Sequence, residues 1–490
     1  MSRSAGTYSA AGESSRLPSG WPGTLAALVV AAGIGVLIAA APLPVALFVL
    51  AAAAASIVAL LRPEVALYAL MAAVILTTET IDEEFAAAGG FPPIPDLKLM
   101  QGVPPATVAA LLALGALYFV RRFAFQGRPS VVPLRYLIPY ALLLALALGT
   151  GLGNGAAPEE VKNDLIRFVY PALCFYLCVN LLDDGKKIRT MLWVLFAACA
   201  LRCTLLDLNY LTGNGQPYDF STVVTLDSGL LMASGIMVSL VLALIVAGRW
   251  PRPFPVVLLA LLPMVFALVF SFRRGHWVGQ IAAGLLLYLW SFRDARRKLA
   301  LAALLCALVA SGSYLAAGGG EAPGEERLTL AARLGSIFNP SQHSNRHHFE
   351  ESAVTLKDLS ARPLLGMGLG GTHSPVPGAW RAEDQPLHVV HNTFLYLWMK
   401  LGLAGISLLV VGGGVYLRRV HRFLRSAPAS PLRDHVVGIG SGAGIWLCMF
   451  ATGPVPWYLH QSFLVALFAA LCLNLMRLDP SGSDVPGRCR

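Results

Sequence analysis

Apolar residues fall in blocks along this chain, and polar residues fall between them. The blocks predict fourteen membrane-spanning helices. The first seven lie near 24–41, 44–61, 64–80, 104–120, 133–150, 166–182 and 188–208. The next four lie near 226–248, 253–271, 276–291 and 298–317, and the last three near 392–418, 436–453 and 457–476. Several blocks are close to the shortest length that crosses a bilayer, so twelve to fourteen spans is the expectation. The fold class is therefore all-α: a polytopic membrane bundle with one large loop.

Composition agrees with the pattern. Of 490 residues, 56% are hydrophobic and only 13% charged, about half the charge of an ordinary soluble domain. The net charge of +10 gathers at helix ends, so it reads as membrane orientation and not as nucleic-acid binding. With the N-terminus in the cytoplasm, the inner loops carry Arg62, Arg121, Arg122, Lys186, Lys187, Arg249, Arg252, Arg293 to Lys298, and Arg418 to Arg433. This is a positive-inside pattern along the whole chain. It divides the sequence into a cytoplasmic tail (1–21), helices (22–317), a periplasmic loop (318–391), C-terminal helices (392–476) and a second cytoplasmic tail (477–490). No cleavable leader is evident in MSRSAGTYSAAGESSRLPSG. The eight cysteines include no CxxC, and all but Cys489 lie in apolar blocks, which suits small buried side chains.

The turn SFRRGHW at 271–277 breaks the charge pattern, because it falls on the outer side. Arginines there can snorkel beside Trp277. Alternatively, Arg273 or Arg274 faces a protein cavity and holds an anion. Histidines share this asymmetry. His276, His343, His347, His348, His373, His388, His391 and His460 fall outside, whereas only His421 and His435 fall inside.

Residues 318–391 are too many for a connector and predict a lid or small subdomain. Within them RHHFEESAVTLKDLSARP predicts a short amphipathic helix. Phe349, Ala353, Val354, Leu356 and Leu359 would rest on the bundle, and Pro363 limits the helix. GMGLGG at 366–371 reads as a flexible turn that brings backbone close to the bundle or a substrate. His347 and Glu351 have metal-compatible i,i+4 spacing, with His343 and His348 nearby. No HExxH accompanies them, so no metal is expected. His391 stands at the outer mouth of a helix, where an imidazole could orient a hydroxyl or accept its proton. Asn392 beside it suits a helix cap. Weaker candidates for substrate contact are Arg167, Arg202, His276, His348 and His388. For Arg167 and Arg202, near Asp164 and Asp207, a structural ion pair competes equally.

Three blocks, in order, carry a resemblance. SFRRGHWVGQIAAGLLL, the stretch from Arg346 to RPLLGMGLG, and HNTFLYLWMKLGLAG resemble the motifs of the O-antigen ligase and Wzy polysaccharide polymerase superfamily. Arg274 and Gly275 match its arginine–glycine step, His391 and Asn392 its HN pair, and Gly402 and Gly405 its later glycines. Two positions depart from the pattern: Ser271 is three residues before Arg274 instead of two, and Lys400 stands where an acidic residue is usual. The resemblance implies a GT-C-like glycosyltransferase of the bacterial inner membrane with a periplasmic active site. It implies an undecaprenyl-diphosphate-linked glycan as donor, and an acceptor glycan or lipid A core as acceptor. It implies no nucleotide sugar, cofactor or metal. Arg274, Arg346 and Arg273 would bind the diphosphate, and His391 with Arg274 would be catalytic. The expectation is a polymerase of lipid-linked repeats, with O-antigen ligase as the alternative. A transporter or flippase, or a non-enzymatic partner of polysaccharide assembly proteins, is the reading from another class.

Overall fold

The computed structural model describes residues 57–76, 106–122, 137–211, 228–249, 254–271, 274–291, 296, 298–300, 343–376, 389–453, 455–456 and 458–478. The chain divides into two units, Met1–Arg62 and Pro63–Arg490. Of the first, only 57–62 are described. The expected spans at 24–41, most of 44–61, and nearly all of 298–317 lie outside the described residues, as do the first tail and all of the second beyond 478.

The second unit is all-α among the described residues. Its helices are α1 (Pro63–Leu76), α2 (Ala106–Arg121), α3 (Ile138–Gly153), α4 (Pro158–Leu181), α5 (Gly185–Leu211), α6 (Ser228–Val246) and α7 (Phe254–Phe270). They continue as α8 (Arg274–Trp290), α9 (His343–Ser360), α10 (Thr393–Ser426), α11 (Pro431–Ser441), α12 (Ala443–Thr452) and α13 (Leu459–Leu478). Six segments among the described residues are long and apolar enough to cross a membrane: Pro158–Leu181, Gly185–Leu208, Gly229–Val246, Thr393–Ser426, Pro431–Thr452 and Leu459–Leu478. Shorter apolar helices accompany them at Pro63–Leu76, Thr107–Arg121, Ile138–Gly153 and Phe254–Val269. The protein is a multi-pass membrane bundle. Its surface agrees: Leu259 and Leu262 of α7 and Ile281 and Leu285 of α8 are more than half exposed, which water penalises and lipid does not.

Local sequence sets the helix ends. Pro158 opens α4 with its missing N–H at a position that needs none. The Ser430 hydroxyl accepts the Arg433 N–H to start α11. The expected span 436–453 is two consecutive helices that meet at Gly442. The bundle packs α4 on α13, α8 on α12, and α6 on α11. Small residues permit the α8–α12 contact. A Cβ on Gly275 would press on Thr452, one on Gly279 on Ile445, and one on Gly444 on the backbone of Ala283. In lipid, close backbone approach of this kind supplies much of the attraction between helices. The glycine after Arg274 is therefore a packing residue. Cys174, Cys178, Cys199, Cys203 and Cys472 are buried free thiols, as the apolar blocks suggest.

Candidate functional site

The starts of α4, α8, α10 and α13 and the ends of α3 and α12 share one end of the bundle, and α9 lies against it. A hydrophobic core fixes α9 there: Leu359 packs with Leu144 and Ala147 of α3, Val161 and Phe168 of α4, Leu369, and Tyr396 and Met399 of α10. The helix runs from His343 to Ser360 and stops before Pro363, as its sequence predicts. Its buried face differs from the expected one. Glu351, Thr355 and Leu359, spaced by four, are buried, whereas Phe349 is 65% and Leu356 46% exposed.

The segment after α9 is wedged into α10. At Gly402 α10 breaks its helical conformation, with φ 68°. In an unbroken helix the Leu403 N–H would bond to the Met399 carbonyl. Here Leu403 N–H donates to the Leu364 carbonyl at 3.0 Å, and the Met399 carbonyl accepts from Met367 N–H at 2.7 Å. The two groups freed by the kink are thus both satisfied by the loop, which a buried backbone requires. Gly366, Gly368 and Gly370 all have positive φ. Leu369 N–H donates to the Ala147 carbonyl at 3.0 Å, and a Cβ on Gly368 would overlap the Gly151 backbone. The GMGLGG stretch does bring backbone onto the bundle, but as a tightly packed wedge and not as a flexible turn.

A buried polar knot locks this wedge. Asp164 of α4 accepts from Gly370 N–H at 2.7 Å and from the Tyr396 hydroxyl at 3.1 Å, and pairs with Lys400 at 2.8 Å and Arg167 at 3.4 Å. Lys400, fully buried, also donates to the Gly371 carbonyl at 2.7 Å. Its unusual charge is therefore neutralised locally and serves packing. Arg167 stands in a structural ion pair at this knot.

His391 lies just before α10. Asn392 caps that helix, its side-chain oxygen accepting from Phe394 and Leu395 N–H at 3.0 and 3.2 Å, which meets the expectation for this residue. Next to it, Thr393 donates to the Gly453 carbonyl at 2.7 Å and ties the helix start to the end of α12. Glu351 of α9 grips His391 twice. One carboxylate oxygen accepts the His391 backbone N–H at 2.8 Å, and the carboxylate lies 3.1–3.2 Å from ring Nδ1. Burial pushes the Glu351 carboxyl up, but the hydrogen bonds and charge of His391, with His348 adding, outweigh it and hold the group below its ordinary value. An ionised carboxylate only accepts, so Nδ1 carries a proton, and in the neutral form of the ring the lone pair falls on Nε2.

Two more histidines complete the cluster. The His348 ring lies 4.9 Å and the His347 ring 6.3 Å from that of His391, centroid to centroid. Burial first, then repulsion from His391, His347 and Arg274, push His348 down to about 4 against the pull of Glu351. His348 is thus neutral at ordinary pH, and Arg274, the first residue of α8, is close enough to act on it. His347, Glu351 and His391 each offer a ligand atom within 4.8 Å of the others.

The remaining sequence candidates separate. Arg346 is 71% exposed and pairs with Glu350 at 2.7 Å. His276 is buried in α8. Arg202 donates to the Leu76 carbonyl at 3.0 Å. Arg273 and His388 lie outside the described residues. A cavity of about 890 Å³ lined by Trp290, Arg296, Arg418, His421 and Arg425 sits at the far ends of α8 and α10, away from the cluster at their starts. The sequence reading noticed Glu351 only as a neighbour of His347 and missed its bond to His391. The spacing of Glu351, Thr355 and Leu359 by four is the signal that marks the inward face.

Residues 259–410 match the family model described as O-Antigen ligase (Wzy_C). The matched stretch contains Arg274, His347, His348, Glu351, His391 and Gly402, but not Asp164. No curated protein matches the chain.

Proposed function

We propose that this protein is a membrane glycosyltransferase of the O-antigen ligase type. In this reading it moves a glycan from an undecaprenyl-diphosphate carrier to a hydroxyl of a lipid A core acceptor. The observation that carries the reading is the His391 ring held at Nδ1 by Glu351, beside His348 and near Arg274, inside the matched stretch. From the sequence alone, polymerase and ligase carry nearly equal weight, and the slight preference for a polymerase rests on no residue. The family's description favours the ligase alternative, and we adopt it.

In the proposed reaction the acceptor oxygen attacks the anomeric carbon from the side opposite the diphosphate. The carbon–oxygen bond to the diphosphate breaks, and its electron pair leaves with the undecaprenyl diphosphate. His391 Nε2 takes the acceptor proton, and Glu351 stabilises the imidazolium that forms. The anomeric centre inverts. Arg274 meets the charge that grows on the leaving diphosphate, where a guanidinium fork is worth most. Arg346 and Arg273 would add positive charge at the donor entrance. His348, uncharged, would contribute a hydrogen bond without competing for the diphosphate. No residue in this account requires a metal.

The cluster's end of the bundle would face the periplasm of a bacterial inner membrane, with both termini in the cytoplasm. The Arg/Lys distribution supports this, since Arg249, Arg296, Arg418 and Arg425 belong to the opposite end. The fold would then be a GT-C-like bundle with 318–391 as its periplasmic lid. The test supplies purified protein with labelled undecaprenyl-diphosphate glycan, with and without lipid A core. A single shift that requires the core supports ligation. A ladder formed without the core indicates polymerisation and overturns the acceptor assignment. Movement of unchanged donor across a vesicle, with no new linkage, would indicate a flippase.

A further inference from the structure

We propose that His347, Glu351 and His391 form a site for a zinc-class divalent cation, and that filling it switches transfer off. The three ligand atoms already lie within 4.8 Å of one another. Two come from one helix: His347 and Glu351 are one turn apart on α9, so their side chains project from neighbouring positions. The third comes from the start of α10, and Glu351 fixes its distance through the His391 backbone N–H at 2.8 Å. Coordination would need side-chain rotation to bring two nitrogens and one oxygen to roughly 2.0–2.2 Å from a common centre.

The donor set is selective. Two imidazoles and one carboxylate suit Zn²⁺, Co²⁺ or Ni²⁺, whereas Mg²⁺ and Ca²⁺ prefer oxygen alone. The ionised Glu351 supplies the negative charge. A fourth position stays open to water, or to His348, whose ring is 4.9 Å from that of His391 and whose Nδ1 has no hydrogen-bond partner among the described residues.

The inhibitory consequence rests on the role assigned to His391 above; the site itself does not. A metal on Nδ1 displaces the ring proton to Nε2, and a metal on Nε2 occupies the lone pair directly. Either way, the nitrogen that would take the acceptor proton loses its free lone pair.

The experiment uses full-length protein purified without a polyhistidine tag. Co²⁺ is the probe, read by its visible d–d absorption, with Zn²⁺ as competitor. The wild type should bind one Co²⁺ that Zn²⁺ displaces. His347→Ala and the more conservative His347→Gln should weaken binding roughly tenfold or more. Both should keep metal-free transfer, while Zn²⁺ inhibition is lost. Co²⁺ affinity unchanged in both variants, or no Co²⁺ spectrum in the wild type, overturns the site. Binding that depends on His347 but leaves transfer unaffected by Zn²⁺ confirms the site and contradicts the assignment of His391 as the base.

Discussion

Two ionic clusters occupy the same end of this bundle, and their difference separates scaffold from chemistry. In the first, Asp164 and Lys400 are almost wholly buried, and each has further partners: Gly370 N–H, the Tyr396 hydroxyl and Arg167 for one, the Gly371 carbonyl for the other. The protein itself meets the charge of each. In the second, Glu351 is buried but His391 is 35% exposed, and only its Nδ1 is held. Nε2 is not engaged by Glu351, His348 is left neutral, and Arg274 stands near. Each cluster is built on one buried carboxylate, but the second retains bonding capacity that a substrate can use.

Breaking the first cluster should have the largest effect, and on the folded protein more than on the chemistry. Asp164→Ala leaves the Lys400 ammonium buried without its anion. Removing one partner of such a pair costs ~3–5 kcal/mol. The expected result is a sharp fall in membrane yield and thermal stability. The double variant Asp164→Asn with Lys400→Met should recover much of it, because no charge is then stranded. Equal yields of the Asp164→Ala variant and the wild type would show that the knot is not structural.

The second cluster should behave in the opposite way. Arg274→Ala should leave yield intact and slow transfer by about a hundredfold, the effect of losing one donor to a developing charge. Arg274→Lys should recover little, since an ammonium lacks the fork. Steady-state rates on purified protein check both. Glu351→Gln should come next, since it replaces the carboxylate that fixes the His391 tautomer. A hydrogen bond to a charged group is worth ~1.5–3 kcal/mol, so the expected loss is roughly ten- to a hundredfold in kcat with KM for the donor unchanged. A KM effect alone would assign Glu351 to donor binding. Arg346→Ala should have the smallest effect of the series, because its guanidinium is exposed and already paired with Glu350. A loss equal to that of Arg274→Ala would place both arginines on the diphosphate equally.

Local patterns made much of this architecture legible. The apolar blocks give most ends of the described membrane helices within a few residues, although α4 starts about eight residues earlier and α10 ends about eight residues later than its block, and the run before Pro363 gives α9. Which face of α9 turns inward was not legible, because two of its inward positions, Glu351 and Thr355, are polar while Phe349 and Leu356 are exposed. Gly402 is visible as a motif glycine. Its work, opening α10 for Leu364 and Met367, depends on a segment far back in the chain. The Asp164–Lys400 pair joins residues in α4 and α10, and no short-range spacing marks it. His391 and Arg274 were legible as candidates because each places unusual chemistry at a helix start. The Glu351 bond that orients His391 needed three dimensions.

The central claim is that His391 acts on the acceptor and not on the donor. His391→Ala in purified protein, assayed for both donor binding and transfer to lipid A core, tests it most directly. The account predicts donor affinity close to that of the wild type and transfer slowed by roughly 10²–10⁴-fold, the range of a lost general base. Transfer at the wild-type rate, or lost transfer that tracks lost donor binding, would contradict it.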